Sequence, residues 1–210
     1  MMERRVKLEE GKLALDLLIG LSIFLFTFIF IANFLPGVFA DVRSEINLAN
    51  QAYRVSSLLA EDPGFNSSWA EDVNLMNCNN VEFRPGLIVF NTSNQDIMKR
   101  KEYNHLNISK IQKLAELLGD VDCRAKVKKF LGLDLTDYGS PISYRFTVSL
   151  KNLSGNLVTY NGNPLLNHGD QGTGSQVLKF ERIVYLDTTV DNCDIIAERC
   201  IAVLEVRVWI

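Results

Sequence analysis

Histidine is nearly missing from this chain: His105 and His168 are the only two. Neither stands with a Ser or Cys nucleophile and an acid in the arrangement a catalytic triad needs. Charge imbalance is also missing. The 22 Lys and Arg residues face 25 Asp and Glu, for a formal net charge of −3. A balance this even does not recruit a polyanion, so no nucleic-acid partner is expected. The cysteines are few and show no CxxC spacing, which argues against a zinc site. Glu71 and Asp72 are neighbours in a loop rather than acids set across a cleft. The stretch from Gly169 to Gly174 is glycine-rich, but a strand pattern follows it where a phosphate loop requires a helix, so it reads as a surface loop. No internal repeat or low-complexity tract is visible. These absences predict a protein that is not an enzyme and carries no cofactor and no metal.

What the chain does have is one long run without charge. From Leu17 to Ala40 there is no Asp, Glu, Lys or Arg, and Leu, Ile and Phe dominate. A bilayer core is crossed by roughly 20 apolar helical residues, so this run is long enough. Lipid offers no hydrogen-bond partners to bare backbone, so a spanning run must be helical. Arg4, Arg5, Lys7 and Lys12 precede it, while Asp41, Arg43 and Glu45 follow it. That bias keeps the N-terminus in the cytoplasm and sends residues after Ala40 outside. The run is longer than the apolar part of a secretory signal, and Phe39-Ala40-Asp41 is a poor cleavage site, so the segment is expected to remain. One acid, Asp16, lies in the first turn of the run. A carboxylate there is costly unless paired or near the interface, and such residues lean towards function.

Pro36-Gly37 falls late in the run and predicts a kink near Asn33 to Gly37. A helical pattern then resumes, with Val42, Ile46, Ala49, Tyr53 and Ala60 on one stripe and Val55 and Leu59 at its margin, until Asp62-Pro63-Gly64 stops it. A continuous helix from Lys12 to Glu61 would measure roughly 75 Å from the helical rise per residue.

The leader and span leave roughly 150 residues, enough for one domain with its own core. Residues 63–105 read as polar and irregular, with a short strand over Leu87–Phe90. A second helical region follows, capped by Ser109 and apolar at Ile111, Leu114, Ala115, Leu117 and Leu118. Beyond Gly119, residues 121–131 continue it, basic through Arg124, Lys126, Lys128 and Lys129, which reads as a solvated face. From Ser143 the period becomes two, with Tyr144, Phe146, Val148 and Leu150 on one side. Ser154-Gly155-Asn156 turns that strand into Leu157–Tyr160, and long strands follow over 176–187 and 201–210. The expectation is an α+β fold: a long N-terminal helix, membrane-spanning in its first half and amphipathic in its second, packed on a four-stranded antiparallel sheet.

Cys78, Cys123, Cys193 and Cys200 all follow the span. Four cysteines in an extracellular domain allow three disulfide pairings. The short loop between Cys193 and Cys200 favours that pair, which leaves Cys78 with Cys123. Four sequons, at Asn66, Asn91, Asn107 and Asn152, also follow the span, where N-glycosylation can occur.

Gly11-Lys12-Leu13-Ala14-Leu15-Asp16-Leu17-Leu18 resembles the class III signal peptide of type IV pilin-like proteins, the archaeal form above all. A basic leader, a Gly at the boundary and an acid fifth after it coincide. Asp16 stands where Glu is usual, Lys12 replaces the common Phe or Gln, and Glu9-Glu10 stand where a basic residue is often met. The resemblance implies a prepilin-type peptidase that cuts between Gly11 and Lys12. It implies that Asp16 then pairs with a neighbouring subunit's N-terminal amine. It also implies that other pilin-like subunits join through the N-terminal helix, and that the sheet and helix are pilin-like. The domains expected are a leader over 1–11, a membrane and assembly helix over 12–40, its amphipathic continuation over 41–62, and an extracellular head over 63–210. The function expected is that of a minor pilin or pseudopilin in a cell-surface filament. The alternative is a single-span extracellular binding protein that does not polymerise.

Overall fold

The computed structural model describes residues 2–65, 68–90, 101–136, 139, 142–172, 174, 176–186, 190–196 and 199–210, with the side chains of 2–14, 38, 40–44 and 101 left aside. The chain divides into two compact units, Met1–Ile46 and Asn47–Ile210.

The first unit is helical. It holds most of α1 (Met2–Glu61), which contains Pro36. Leu15–Gly37 is long and apolar enough to cross a membrane, and none of it is buried. Its polar side chains turn back on the helix. Ser22 Oγ donates to the Leu18 carbonyl at 2.7 Å, Thr27 Oγ1 to Ile23 at 2.8 Å and Asn33 Nδ2 to Ile29 at 2.8 Å. In an apolar medium such bonds remove the cost of exposed hydroxyl and amide groups.

The second unit is a helical layer on a sheet. It begins with the last turns of α1, and then α2 (Trp69–Asp72), β1 (Ile88–Phe90), β2 (Lys101–Leu106), α3 (Ile108–Gly119) and α4 (Val121–Phe130) follow. Next come β3 (Arg145–Lys151), β4 (Thr159–Tyr160), β5 (Asn163–Pro164), β6 (Asn167–Gly169), β7 (Val177–Leu186), β8 (Asp194–Ile196) and β9 (Arg199–Trp209). The α1 residues that enter the core are Leu48, Ala52, Val55 and Leu59, spaced by threes and fours, together with Ala60. The expected stripe was rotated from this one: Ile46 and Tyr53 are more than half exposed. Below this helix lie Phe146, Val148 and Leu150 of β3, Val184 of β7, and Ala202, Leu204, Val206 and Val208 of β9, all buried in one cluster with α3 and α4.

The expected four-stranded antiparallel sheet is incorrect. Among the described residues the sheet has seven strands in the order β1-β2-β7-β9-β3-β6, with β8 also on β9. It is mixed, because β2 runs parallel to β7, with His105 opposite Tyr185. Two of the extra strands lie in stretches with no apolar period. Lys101–Leu106 and Asn167–Gly169 pair through backbone groups, and their polar side chains leave no alternation to read. The strand expected over Leu157–Tyr160 is also reduced. Only Thr159–Tyr160 is regular, and it pairs with β5 in a separate two-stranded sheet. The Asn161-Gly162 turn between them has positive φ at both residues, 52° and 77°, as such a hairpin demands. The cap of α3 is Asn107, not Ser109, because the Asn107 side chain accepts from the Lys110 amide at 3.1 Å.

Candidate functional site

The first candidate is the N-terminal segment. Gly11 and Lys12 are helical, and the Lys12 side chain lies outside the described ones. Asp16 is exposed on the helix surface. Ile19 and Gly20, one turn on, are exposed too, so the acid stands on an uncovered face of the single chain.

The second candidate is the set of charged side chains that tie α1 to the rest of the head. Arg54 spreads its guanidinium over the end of α4, donating to the Leu131 carbonyl at 2.7 Å and to Gly132 at 2.5 Å. These carbonyls are orphaned at a helix C-terminus, and a cation there also answers the helix dipole. Gly132 has φ 65°, the left-handed region that favours glycine, and a Cβ at that position would push the Arg54 guanidinium aside. Burial lowers the Arg54 pKa. Lys110 is 7% exposed and donates to the Pro63 carbonyl at 2.9 Å and the Ile88 carbonyl at 3.0 Å. It therefore joins the end of α1, the start of β1 and α3. Burial pushes its pKa down to about 8, against the opposing pull of Asp62. Arg182 of β7 donates to Glu61, Ser56 and Ser57 of α1.

The outer side of the sheet carries a third group. Glu205 of β9 is 3% exposed. Lys151 Nζ and Arg207 Nε each stand 2.8 Å from its Oε1, and Lys179 Nζ stands 4.0 Å from Oε2. Burial raises its pKa, but Lys151 and Arg207 outweigh burial and hold it below the ordinary value. This carboxylate is engaged with Lys151 of β3 and Lys179 of β7 on the neighbouring strands and with Arg207 of its own strand, which suits a structural network on one sheet face.

The basic helix α4 is not a free cationic face. Arg124 Nη1 donates to the Gly169 carbonyl at 2.7 Å, Lys128 stands 3.9 Å from Asp170, and Lys126 lies 5.2 Å from the Phe130 ring. The Arg124 and Lys128 contacts hold Gly169 and Asp170 against the helix. His168, in β6 beside that loop, has its pKa lowered by burial and then by Arg124. His105 contacts Glu102 and stacks on Tyr185 at 4.4 Å. The two histidines are thus engaged in different parts of the sheet.

Cys78 is bonded to Cys123, and Cys193 to Cys200. Among the described residues, no three His, Cys, Asp or Glu side chains gather as a metal site would require. Asn66 and Asn91 lie outside the described residues. Asn107 caps α3, and Asn152 opens the turn after β3. A cleft of about 590 Å³ runs along α3, lined by Glu71, Val89, Ser109, Lys113 and Glu116 among others. The sequence reading passed over Lys110 and Arg182, and placed Glu205 only on the polar side of the last strand. Lys110 and Arg182 each carried a signal: a charge on the apolar face of its helix or strand.

An uncharacterized protein of Archaeoglobus fulgidus is 49% identical over 202 residues, which cover 96% of this chain and 98% of that protein. The chain belongs to the family of that archaeal protein. A family model described as a family of unknown function, DUF7287, matches residues 9–83. That match takes in Gly11, Lys12, Asp16, the apolar span, the α1 residues of the head core and Cys78, and it ends at Phe83. No solved structure matches the chain.

Proposed function

We propose that this protein is a membrane-anchored surface protein that acts as a structural subunit of a pilin-like filament, joined to other subunits through its N-terminal helix. One observation carries the reading. A single helix, α1, has an exposed apolar segment of membrane-spanning length and then supplies the buried face of the head through Leu48, Ala52, Val55 and Leu59. Such a helix holds a precursor in the bilayer and offers the same apolar surface to neighbouring helices once released. The basic residues before the span support a cytoplasmic N-terminus, and two disulfides suit a head in an oxidising exterior. Cleavage between Gly11 and Lys12 by a prepilin-type peptidase would place a new amine one helical turn from Asp16, where an acid and an amine of adjoining copies can set register.

A second reading is favoured by the sheet. Its seven strands and parallel β2–β7 pair depart from the sheet that the pilin resemblance implied. On this reading the chain is a single-span surface binding protein that does not polymerise. Sequencing the mature N-terminus of the membrane-extracted protein separates the two. A start at Lys12 supports the filament subunit. An intact leader in the working molecule removes it and leaves the anchored binding protein. Asp16→Ala then tests assembly: monomeric anchoring persists while association with other subunits falls, and unchanged association would sink the role given to the acid.

A further inference from the structure

Two of the four sequons fall on described residues; Asn107 and Asn152 are each half-buried and each is followed by an exposed serine, but the residues around them differ. The Asn107 sequon opens helix α3. Asn107 Oδ1 accepts from the Lys110 amide at 3.1 Å, and its own amide donates to the Leu87 carbonyl at 2.8 Å. Its neighbours Leu106, Ile108 and Lys110 are all buried. The Asn152 sequon lies in the turn that ends β3. Residues 153–156 are all exposed, with Leu153 at 51%. Gly155 sits at φ 87°, and the Gly155 amide donates to the Asn152 carbonyl at 2.9 Å. The Asn156 amide donates to Asn152 Oδ1 at 2.8 Å, and the Asn152 amide donates back to the Asn156 carbonyl at 2.8 Å. These bonds occupy the oxygen of the Asn152 carboxamide. Its nitrogen makes no hydrogen bond among the described residues.

From this contrast we infer that Asn152 is an N-glycosylation site of the folded head and that Asn107 is not. Glycosylation uses the carboxamide nitrogen and leaves the oxygen an acceptor, so a sugar at Asn152 keeps the turn intact. The following hydroxyl, Ser154, is in the same exposed turn, as a transferase reading Asn-x-Ser needs. At Asn107 the same enzyme would have to unwind the first turn of α3 and lift Ile108 out of the core. The reaction forms a bond between Asn152 Nδ2 and the anomeric carbon of an oligosaccharide. It breaks the bond from that carbon to the phosphate of a lipid-phosphate-linked donor. The phosphate leaves with the bonding electron pair, and the amide proton passes to a base of the transferase.

The inference rests on the outward placement of residues after Ala40. That placement is read separately by labelling exposed Lys179 on intact cells with a membrane-impermeant amine reagent. The test of the site itself is glycopeptide mass spectrometry on the full chain isolated from its own cells' membranes, beside S154A and S109A made in the same host. S154A keeps the Asn152 turn bonds and removes only the sequon. The expected result is a sugar on the wild-type peptide that contains Asn152, its complete loss in S154A, and an unchanged pattern in S109A. A bare Asn152 in the wild-type protein overturns the inference, as does a sugar on Asn107. If Lys179 is also unlabelled, the outward placement falls with it; if Lys179 is labelled, only the glycosylation site falls.

Discussion

Arg182, in the middle of β7, donates to the carboxylate of Glu61 in the last turn of α1, 121 residues earlier. The same guanidinium donates to Ser57 Oγ at 2.6 Å and to Ser56 Oγ at 3.3 Å. It also lies 5.5 Å from the Tyr53 ring and 5.8 Å from the Phe180 ring. One planar cation thus fastens a helix to the strand beneath it, with the fork geometry that Lys lacks.

Arg182→Met should therefore destabilise the head. Ser56 is fully buried and would lose a partner, while Glu61 is partly exposed and can hydrate. A loss of about 1–3 kcal/mol is expected for removing a charged hydrogen-bonding partner from such a site. Arg182→Lys should recover little, since one ammonium cannot serve three acceptors in a fork. Denaturant unfolding of the detergent-solubilised chain measures both. A Lys variant equal to wild type would mean that charge alone matters at this position.

Lys110 makes a pH prediction. Its pKa falls from 10.5 to about 8 on folding, chiefly through burial. Between these values the unfolded chain holds a proton that the folded chain has released, so stability gains a rising component with pH. The cost of the buried charge is fully present below pH 8 and is relieved as pH climbs towards 10.5. Lys110→Met removes that component. The difference in unfolding free energy between wild type and Lys110→Met should shift in favour of wild type from pH 8 to pH 10, and a flat difference would contradict the burial argument.

Glu205 acts in the opposite window. Its folded pKa is below the ordinary 4.5, with the Lys151 and Arg207 contacts outweighing burial. Its stabilisation is complete above the unfolded value and is lost as pH falls through the lowered folded value. Glu205→Gln should flatten the acid limb of the stability curve below about pH 4.5. It should also leave Lys151 and Arg207 without their shared carboxylate, so the variant is less stable than wild type at pH 7. Thermal melting across pH 2–7 checks both arms.

The two disulfides should differ in worth. Cys78 and Cys123 close a loop of 45 residues, and Cys193 and Cys200 one of 7. Loop-closure entropy gives about 4 kcal/mol for the first and about 2 for the second. The Cys78→Ser/Cys123→Ser variant should melt well below the Cys193→Ser/Cys200→Ser variant. Equal losses would show that loop entropy does not set the order here.

The sequence by itself determined what is local. A run without charge from Leu17 to Ala40, dominated by Leu, Ile and Phe, sets a helix of spanning length, because composition and length alone decide whether a backbone can rest in lipid. Alternation at Tyr144, Phe146, Val148 and Leu150 marked β3, because period two is visible within a few residues. The helical periods of α3 and α4 were legible for the same reason. The tertiary structure alone decided which face of α1 is buried, since Leu48, Ala52 and Leu59 are chosen by the sheet beneath them and not by the helix. It alone decided that β2 joins β7 in parallel, with His105 beside Tyr185, and that Lys110, Arg182 and Glu205 each find partners far along the chain. Backbone pairing and long-range ion pairs carry no period, so their partners appear only when distant segments are brought together.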